Sequence, residues 1–394
     1  MSSGTLRQLG PNLWEVGIDF GYNDTGKRVR RYRRIRGTKK VAEAERTRLL
    51  RERDTGARPT AASLKVGEYL EQWLDDFARS RVSGKTLERY DAIVRRHLIP
   101  ALGNHRLTKL SPMHIQGYYA SALESGRLNG KGGLSPQTVL HHHRVLHVAL
   151  KSAVKARLLT WNPCEGTDPP RPQRPEMNAQ NEDDTARMLE CLEKDSNHEL
   201  YLPVLVAVTT GLRRGELLAL RWGDLDFDAG VLSVSRSLEQ TSAGLRFKSP
   251  KTRKGVRRVQ LPDLTIKPLW RHRLEQERLK TDVGKGYQDG DLIFCMLDGS
   301  PWHPNNFSAA FARFAKRHNL GIRLHDLRHS HASQLLRQGV PLKVVSERLG
   351  HATAAITLDV YAHVLPGMQE EAARGLDSAL SGAVERRRKV SGGV

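Results

Sequence analysis

Five prolines between residues 163 and 175 limit what this 394-residue chain can fold into more than any other feature of its sequence. They occur in Asn162-Pro163 and in Asp168-Pro169-Pro170-Arg171-Pro172-Gln173-Arg174-Pro175. Proline lacks a backbone N–H and clashes with the preceding helical turn, so this stretch is extended and cannot continue a helix. We therefore predict a linker at 166–178, with enough chain on each side of it for a hydrophobic core.

Two modules are predicted before the linker. Residues 13–20 alternate apolar and polar side chains, 23–26 has turn chemistry and 29–35 resumes the alternation, which predicts a small sheet, followed by a helix over 40–53. We assign 1–60 to this module. From Val66 to Phe77 apolar residues recur at helical spacing, which predicts an amphipathic helix with this stripe in the core. Further helices are expected over 85–98, 111–125 and 135–156, so we assign 64–165 to a helical bundle.

A mixed domain is predicted after the linker, over 179–372. Its patterns indicate helices over 182–194, 201–210 and 214–220, strands over 231–234 and 256–261, and helix again from about residue 304 to the end. Residues 373–394 are predicted to be a C-terminal tail. The expected fold class is multidomain α+β: a small N-terminal β-sheet plus helix, an all-α bundle, and a mainly α domain with a small antiparallel sheet.

The formal net charge of +21 and the pI near 10.2 indicate a polyanionic partner. A membrane surface is disfavoured, since the longest apolar run, 202–208, is far shorter than the roughly 20 residues that span a bilayer. Three cysteines without a Cys-x-x-Cys pair favour neither a disulfide framework nor a zinc knuckle, and indicate an intracellular protein.

Basic residues concentrate at two places in the first half. Nine of the fourteen residues from Lys27 to Lys40 are basic and none is acidic; a solvated basic strand is the alternative to a nucleic-acid contact. The helix over 135–156 carries a second basic group. The candidate nucleic-acid contacts are Lys27, Arg28, Arg30, Arg31, Arg33, Arg34, His143, Arg144, Lys151 and Lys155.

Two candidate phosphate contacts lie in the domain after the linker. Arg213 is predicted at the corner between two helices, where helical N–H groups and a guanidinium favour an anion, although a surface salt bridge explains such a turn equally well. The second is a cationic hairpin tip predicted over 247–255. A lysine there could deliver a proton to a leaving oxygen, and Lys251 is favoured over Lys248 and Lys254.

Tyr361 follows His325, Arg328 and His351 in the last part of the chain. A tyrosine with its usual pKa near 10 is a weak nucleophile, so it needs neighbours that take its proton and stabilise charge on the electrophile. The alternatives are a core aromatic for Tyr361 and a zinc site at His325, His329 and His331. The glutamate of the zinc-protease motif and the thiols are both absent, which disfavours zinc.

Five spaced motifs occur in order along the chain: Thr210-Gly211-Leu212-Arg213-Arg214-Gly215-Glu216-Leu217, Lys251-Thr252, His325-Asp326-Leu327-Arg328-His329, Leu349-Gly350-His351 and Thr357-Leu358-Asp359-Val360-Tyr361-Ala362-His363. Together they resemble the motifs of the tyrosine recombinases, in particular phage-type integrases. The resemblance implies an arm-type DNA-binding domain at 1–60, a core-binding (SAM-like) domain at 64–165 and a catalytic domain at 179–372. It implies the catalytic set Arg213, Lys251, His325, Arg328, His351 and the nucleophile Tyr361. Lys251 occupies the position that varies most in the family.

The family mechanism implies a covalent 3′-phosphotyrosine and a Holliday junction, with no cofactor and no metal. Arg213, Arg328 and His351 would stabilise the phosphate and Lys251 would protonate the 5′-oxygen. His325 would assist proton transfer to or from Tyr361, and Glu216 and Asp326 would orient the arginines.

The implied partners are double-stranded DNA attachment sites and three further copies of the chain in a homotetramer, in which the helix after Tyr361 docks on a neighbour. A host DNA-bending protein and an excisionase are candidate accessory partners, in the host bacterial cytoplasm at the nucleoid. The alternatives are a type IB topoisomerase-like enzyme and a non-catalytic DNA-binding protein.

Overall fold

A computed structural model of the chain describes residues 4–22, 28–54, 63–173, 179–195, 198–250, 255–361 and 368–391. The chain divides into two compact units, residues 1–174 and 175–394. The division therefore falls inside the proline-rich segment. None of the described helices combines the length and apolar content that a membrane crossing requires.

The first unit begins with a three-stranded antiparallel sheet and one helix. These elements are β1 Thr5–Gly10, β2 Leu13–Tyr22, β3 Arg28–Arg36 and α1 Lys39–Asp54. β2 is the central strand and pairs with both others. Its alternate residues Val16 and Ile18 are buried together with Ala42 of α1, so the helix covers one face of the sheet. The predicted turn at 23–26 lies outside the described residues.

A helical bundle completes the first unit. Its helices are α2 Val66–Trp73, α3 Arg79–Arg81, α4 Gly84–Ile93, α5 Ile99–Leu102, α6 Pro112–Ser125 and α7 Pro136–Lys155. π-helical turns join α2 to α3 at Leu74–Ala78 and α4 to α5 at Val94–Leu98, and short 3₁₀ turns lie at Leu107–Lys109 and Pro163–Gly166. The predicted start at Ser135-Pro136 is confirmed, since the Ser135 side chain caps α7 by accepting from the Thr138 N–H.

The prediction that Phe77 lies in the core is wrong. Its side chain is exposed, and Ala78 is buried in its place. The π-helical turn at Leu74–Ala78 has more residues per turn than an α-helix, so it rotates the inward face forward by one residue. The Phe77 ring instead lies under the Arg81 guanidinium, with 5.6 Å between the carbon and the ring centroid.

The second unit packs nine helices and five strands among the described residues. Its helices are α8 Glu182–Lys194, α9 Tyr201–Thr210, α10 Arg214–Leu217, α11 Asp263–Val283, α12 Pro304–Arg317, α13 Asp326–Arg337, α14 Leu342–Leu349, α15 Ala354–Tyr361 and α16 Met368–Ser391. Its strands are β4 Leu225–Asp226, β5 Val231–Val234, β6 Ser237–Thr241, β7 Gly244–Lys248 and β8 Arg257–Gln260. 3₁₀ turns lie at His198–Leu200, Trp222–Asp224 and Gly284–Gly286.

Helix α9 lies at the centre of the second unit. It is apolar on nearly all sides, and Val204, Leu205 and Val206 are almost completely buried. Helices α8, α11 and α13 all pack against it. The C-terminal end of α9 lies against α13, which carries His329 and His331 and is directly preceded by His325.

Three predicted elements differ in the structure, and one helix was not predicted. Strands β7 and β8, which precede and follow the undescribed residues 251–254, do not pair with each other as the predicted hairpin requires, because β7 pairs with β6 and β8 pairs with β5 in a separate sheet. Helix α10 ends at Leu217 instead of residue 220. Helix α11 was not predicted, and Pro268 lies inside it. Helix α16 crosses the predicted boundary between 372 and 373.

Candidate active site

Arg213 lies at the corner between α9 and α10, as predicted. Gly211 ends α9 with φ +67°, a left-handed conformation that favours glycine, and Arg213 precedes the first residue of α10. A Cβ at Gly211 would lie 2.6 Å from Cδ2 of His331 and 2.8 Å from Cδ2 of Leu349. Glycine is required there for the turn and for this close approach.

The Arg328 guanidinium is buried beside this corner. Its Nη1 donates to the Gly211 carbonyl at 2.6 Å and its Nη2 to the Leu349 carbonyl at 2.7 Å. Burial and the neighbouring Arg213 charge lower its pKa to about 9, which leaves Arg328 charged at neutral pH. These two bonds use two of the five N–H donors of a guanidinium and fix its plane.

The connection between α14 and α15 brings His351 to the same place. Gly350 ends α14 with φ +68°, and its carbonyl accepts from Nη2 of Arg213 at 3.5 Å. His351 follows directly, and its Nδ1 lies 2.7 Å from Oγ1 of Thr357. Burial, Arg328 and Arg213 lower the pKa of His351 to about 4, so its ring is neutral near pH 7.

Glu216 holds Arg213 together with a second arginine, Arg257 of β8. Its carboxylate accepts from Nη1 of Arg213 at 2.8 Å and from Nη2 of Arg257 at 2.9 Å, and the Glu216 and Arg257 side chains are 7% and 6% exposed. Burial alone would raise the pKa of Glu216, but the bonds and charges of Arg257 and Arg213 hold it below its usual value. Three arginine charges, those of Arg213, Arg257 and Arg328, lie near this one carboxylate. The site therefore has an excess of positive charge.

Tyr361 is the last residue of α15 and is 1% exposed. Its ring packs in a small core with Ala332, Leu336, Val345 and Leu349. Burial raises the pKa of the hydroxyl to about 12 against a smaller opposing effect of Arg328. The side chain is thus both a core aromatic and a neighbour of the arginine cluster.

The hydroxyl of Tyr361 contacts His329 at 2.8 Å from Nδ1, whereas we predicted a partnership with His325. His325 is exposed, and its ring stands edge-on to the His329 ring with centroids 5.0 Å apart. Desolvation and the nearby Arg328 lower the pKa of His325. The helical spacing of four residues places His325 and His329 on one face of α13.

In the part of the chain that the structure describes, the Asp326 carboxylate contacts neither Arg213 nor Arg328, the arginines of the set that it was predicted to orient. Its carboxylate accepts from the backbone N–H, Nε and Nη2 of Arg323, at 2.9, 3.1 and 3.1 Å. Arg328 is held by backbone carbonyls instead. Of the two predicted orienting carboxylates, Glu216 alone contacts an arginine of the predicted set.

Lys251 and Lys254 lie outside the described residues. Lys248, the third lysine considered, lies on β7 with its Nζ 2.6 Å from Oε1 of Glu239. Gly255 and Val256 lead from the undescribed stretch into β8, which begins at Arg257. Lys251 is thus six residues along the chain from a side chain that contacts Glu216.

Sequence reasoning missed four side chains of this cluster. Arg257, Val259 and Leu261 alternate along β8 and its continuation, and this period of two indicates that Arg257 faces inward. His329 and His331 were considered only as zinc ligands. Arg348 donates from Nε to Nε2 of His331 at 3.1 Å, and the His331 ring lies against Gly211. No local pattern marks this last pair, because its partners are distant in sequence.

The basic strand β3 presents most of its described charges on the face of the sheet opposite α1. Arg30, Tyr32 and Arg34 lie across from Asp19, Gly17 and Glu15 of β2, and they are exposed. Arg36, which was not among the candidates, shares this face. Arg33 lies on the other face, where Nη1 contacts Glu45 of α1 at 2.8 Å. Lys27 and the side chains of Arg28 and Arg31 lie outside the described residues.

The second group of candidate contacts lies on α7. Arg144, Lys151 and Lys155 are exposed. His143 is half-buried, and its Nδ1 lies 2.6 Å from the hydroxyl of Tyr119. Burial lowers the pKa of His143, so its ring is less basic than a free histidine. His143 is therefore less suited to a phosphate contact than the three exposed residues.

Two parts of the chain match known domain families. Residues 180–368 match the phage integrase family, and residues 65–123 match the N-terminal SAM-like domain of phage integrases. A XerC-like tyrosine recombinase of Caldanaerobacter subterraneus subsp. tengcongensis is 29% identical over 93% of this chain and 96% of its own length. The ICEBs1 integrase of Bacillus subtilis is 28% identical over 95% of this chain and 100% of its own length.

Solved structures with the same fold include two DNA complexes. The Tn1549 transposon integrase in complex with transposon right end DNA gives a TM-score of 0.67 at 22% identity, over 81% of this chain and 100% of that chain. A lambda integrase dimer bound to a COC′ core site gives 0.55 at 18% identity, over 90% and 95%. These likenesses confirm the predicted multidomain α+β fold class.

Proposed function

Because this chain belongs to the phage integrase family of tyrosine recombinases, we propose that Tyr361 attacks a DNA phosphate held by Arg213 and Arg328. The chain is a site-specific DNA recombinase, an enzyme that breaks and rejoins DNA. Its residue roles, its DNA sites and its assembly are proposals.

Three neighbouring arginines carry the assignment of the phosphate site, because two of them bond to one carboxylate and the third, Arg328, lies near enough to feel its charge. Arg213 and Arg257 share Glu216, while Arg328 and Arg213 donate to the carbonyls of Leu349 and Gly350. An excess of fixed positive charge at a partly buried site favours an anion. Planar guanidinium groups suit phosphate oxygens because they donate through parallel N–H groups.

The proposed reaction exchanges one phosphodiester for another. The Tyr361 oxygen forms a bond to phosphorus as the bond to the 5′-oxygen breaks, which gives a 3′-phosphotyrosyl link and a free 5′-hydroxyl. The 5′-hydroxyl of a partner strand then attacks this link and releases the tyrosine. The bond energy is kept in the covalent link, and two such exchanges pass through a Holliday junction.

Each remaining member of the predicted set has one role. Arg213 and Arg328 stabilise the charge that grows on the non-bridging oxygens, and His351 adds a hydrogen bond from its neutral ring. Lys251 protonates the departing 5′-oxygen. His325, the exposed histidine directly before α13, would assist proton transfer on the DNA side of the site.

The DNA contacts are assigned to all three predicted domains. The exposed face of β3, with Arg30, Tyr32 and Arg34, is suited to the arm sites, and the exposed Arg144 and Lys151 of α7 to the core site. The substrates are double-stranded attachment sites of a phage or another mobile element. The reaction would take place in the host bacterial cytoplasm, at the nucleoid.

Assembly into a homotetramer on two duplexes is supported by α16. Its Leu376, Leu380 and Val384 are exposed and recur every four residues, so they form one apolar stripe along the helix. Such a stripe is suited to a second copy of the chain. A host DNA-bending protein and an excisionase would assist and direct the reaction.

Strand exchange between two labelled duplexes tests the proposed function. The core site would be taken from DNA flanking the gene, and the products resolved by size. We expect the wild type to form a covalent adduct and recombinant duplexes, and Tyr361→Phe to form neither while still binding DNA. Adduct with rejoining of the same strand alone would favour a type IB topoisomerase-like activity. DNA binding without any adduct would favour a non-catalytic protein.

A further inference from the structure

His329 is the residue that touches the hydroxyl of Tyr361. The distance between Nδ1 and the tyrosine oxygen is 2.8 Å, and the ring centroids are 5.7 Å apart. Among the described residues, no other side chain is recorded in a hydrogen bond to this oxygen. His325, the histidine of the predicted set, contacts the His329 ring instead.

Both partners of this contact are held by rigid elements. His329 follows Arg328, which is tied to two backbone carbonyls, in the first turns of α13. The Tyr361 ring is packed against Leu336 and Leu349, so the hydroxyl has little freedom to point elsewhere. The contact is therefore built into the fold, and a chance rotamer does not explain it.

The proton states favour transfer in one direction during the reaction. Burial and the neighbouring His325 lower the pKa of His329 to about 4, and burial raises the pKa of Tyr361 to about 12. Near pH 7 the imidazole is neutral and can accept, while the hydroxyl keeps its proton. A phosphate at the arginines adds negative charge nearby, which favours a protonated imidazole.

We propose that His329 is a catalytic proton acceptor for Tyr361, which receives the hydroxyl proton on Nδ1 as the tyrosine oxygen bonds to phosphorus. The bond to the 5′-oxygen breaks in the same step, and that oxygen takes its own proton from Lys251. In the rejoining step the attacking 5′-hydroxyl returns its proton to Lys251 as its oxygen bonds to phosphorus, and the departing tyrosine oxygen takes back the proton held by His329. His325 then does not accept the Tyr361 proton and is available for proton transfer on the DNA side of the site.

This role of His329 rests on the proposed function, in which Tyr361 is the nucleophile. A 5′-bridging phosphorothiolate substrate separates the two proton transfers, because sulfur leaves as a thiolate without protonation. A group that protonates the leaving oxygen then becomes dispensable. A group that accepts the tyrosine proton stays necessary.

The test measures single-turnover adduct formation by the full chain on oxygen and sulfur substrates. We expect His329→Ala to be slower by on the order of 10² to 10⁴ on both substrates, with partial recovery in added imidazole. Lys251→Ala should be slow on the oxygen substrate and recover on the sulfur substrate. His329→Asn keeps a hydrogen-bonding group near Nδ1 without its basicity, and it should fold, bind DNA and remain slow.

Normal cleavage by His329→Asn, or recovery of His329→Ala on the sulfur substrate, would overturn the proposal. A loss on both substrates in His325→Ala but not in His329→Ala would assign the acceptor to His325 and also overturn it. Wild-type protein without adduct, or adduct in Tyr361→Phe, would instead refute the proposed function. The two failures are thus distinguishable in one experiment.

Discussion

Arg213 and Arg328 donate to the carbonyl oxygens of consecutive residues, Gly350 at 3.5 Å and Leu349 at 2.7 Å. The corner after α9 and the start of α13 are thereby tied to the connection that carries His351. Small displacements of this connection move both guanidinium groups together. The phosphate site is therefore sensitive to backbone changes that leave every charged residue in place.

Arg213→Lys should slow cleavage by on the order of 10² to 10³, because lysine cannot donate to Glu216, Gly350 and a phosphate through one planar group. The Arg213 side chain is 42% exposed, so the fold should tolerate the change. Single-turnover adduct formation measures the effect. Arg214→Lys is the matched control, since Arg214 donates to Pro304 and Ser308 outside the cluster. Equal rates for both variants would contradict the assignment.

Gly211→Ala should cost more stability than the left-handed backbone alone explains. A Cβ there would lie 2.6 Å from His331 and displace the carbonyl that accepts from Arg328. Gly339→Ala is the control, because Gly339 has φ +76° with open space around its Cβ position. We expect about 1 to 2 kcal/mol for the control and a larger loss, with slowed cleavage, for Gly211→Ala. Thermal unfolding measures the loss of stability in each variant, and adduct formation measures the cleavage rate. Equal losses of stability in Gly211→Ala and Gly339→Ala would show that the close approach of His331 to Gly211 does not matter.

Arg257→Met should destabilise the second unit by about 3 to 5 kcal/mol, since it leaves the buried Glu216 without its strongest partner. Adding Glu216→Gln should restore part of the loss, because no unpaired buried charge then remains. Urea unfolding of the single and double variants measures the coupling. Glu277→Gln, in the exposed pair with Lys280, should change stability by at most about 1 kcal/mol. If the loss of stability in the double variant equals the sum of the losses in the two single variants, Arg257 and Glu216 do not form a coupled ion pair.

Stability should fall as the pH drops below about 6.5, in part because of His331. Burial, followed by the charge of Arg348, lowers the pKa of this ring to about 3 in the folded chain. The unfolded chain binds a proton near pH 6.5 and the folded chain does not, so this stabilisation is present above pH 6.5 and lost below it. His331→Gln, which keeps an acceptor for Arg348, should show a smaller fall in Tm between pH 7 and 5. An equal fall in Tm in His331→Gln and in the wild type would exclude His331 as a contributor.

Arg34→Gln should lower the salt dependence of arm-site binding, because Arg34 lies on the exposed face of β3. Loss of one phosphate contact reduces the slope of log K against log salt by about 0.9. Arg33→Gln is the control on the opposite face, where Arg33 contacts Glu45. Fluorescence anisotropy of the full chain with labelled arm-site DNA gives both slopes. A larger decrease of the slope in Arg33→Gln than in Arg34→Gln would place the DNA on the face of the sheet that α1 covers.

The sequence predicted elements that have a strong local pattern. Helices α8 and α9 and strand β5 have the predicted bounds, because their periodicity and end residues are local. Helix α11 was missed because Pro268 argues against a helix, whereas the surrounding packing accommodates it. Phe77 was misplaced because a π-helical turn leaves no clear mark in the sequence.

The same distinction holds in the candidate site. Arg213 and Gly211 are neighbours in the chain, and their corner was predicted from residue types alone. The contacts of Arg257 with Glu216 and of His329 with Tyr361 join residues 41 and 32 positions apart. Asp326 contacts Arg323 instead of an arginine of the predicted set, and Arg323 and Arg328 are both within its reach along the chain. Local spacing cannot choose between such partners.

Mass spectrometry of the covalent adduct tests the central claim most directly. Wild-type protein would be trapped on a nicked core site, digested with nuclease and trypsin, and its nucleotide-bearing peptide sequenced. Trypsin should release residues 349–374, in which Tyr361 is the only tyrosine. We expect a nucleotide on Tyr361 and no adduct in Tyr361→Phe. A nucleotide on any other residue, or an undiminished adduct in Tyr361→Phe, would contradict it.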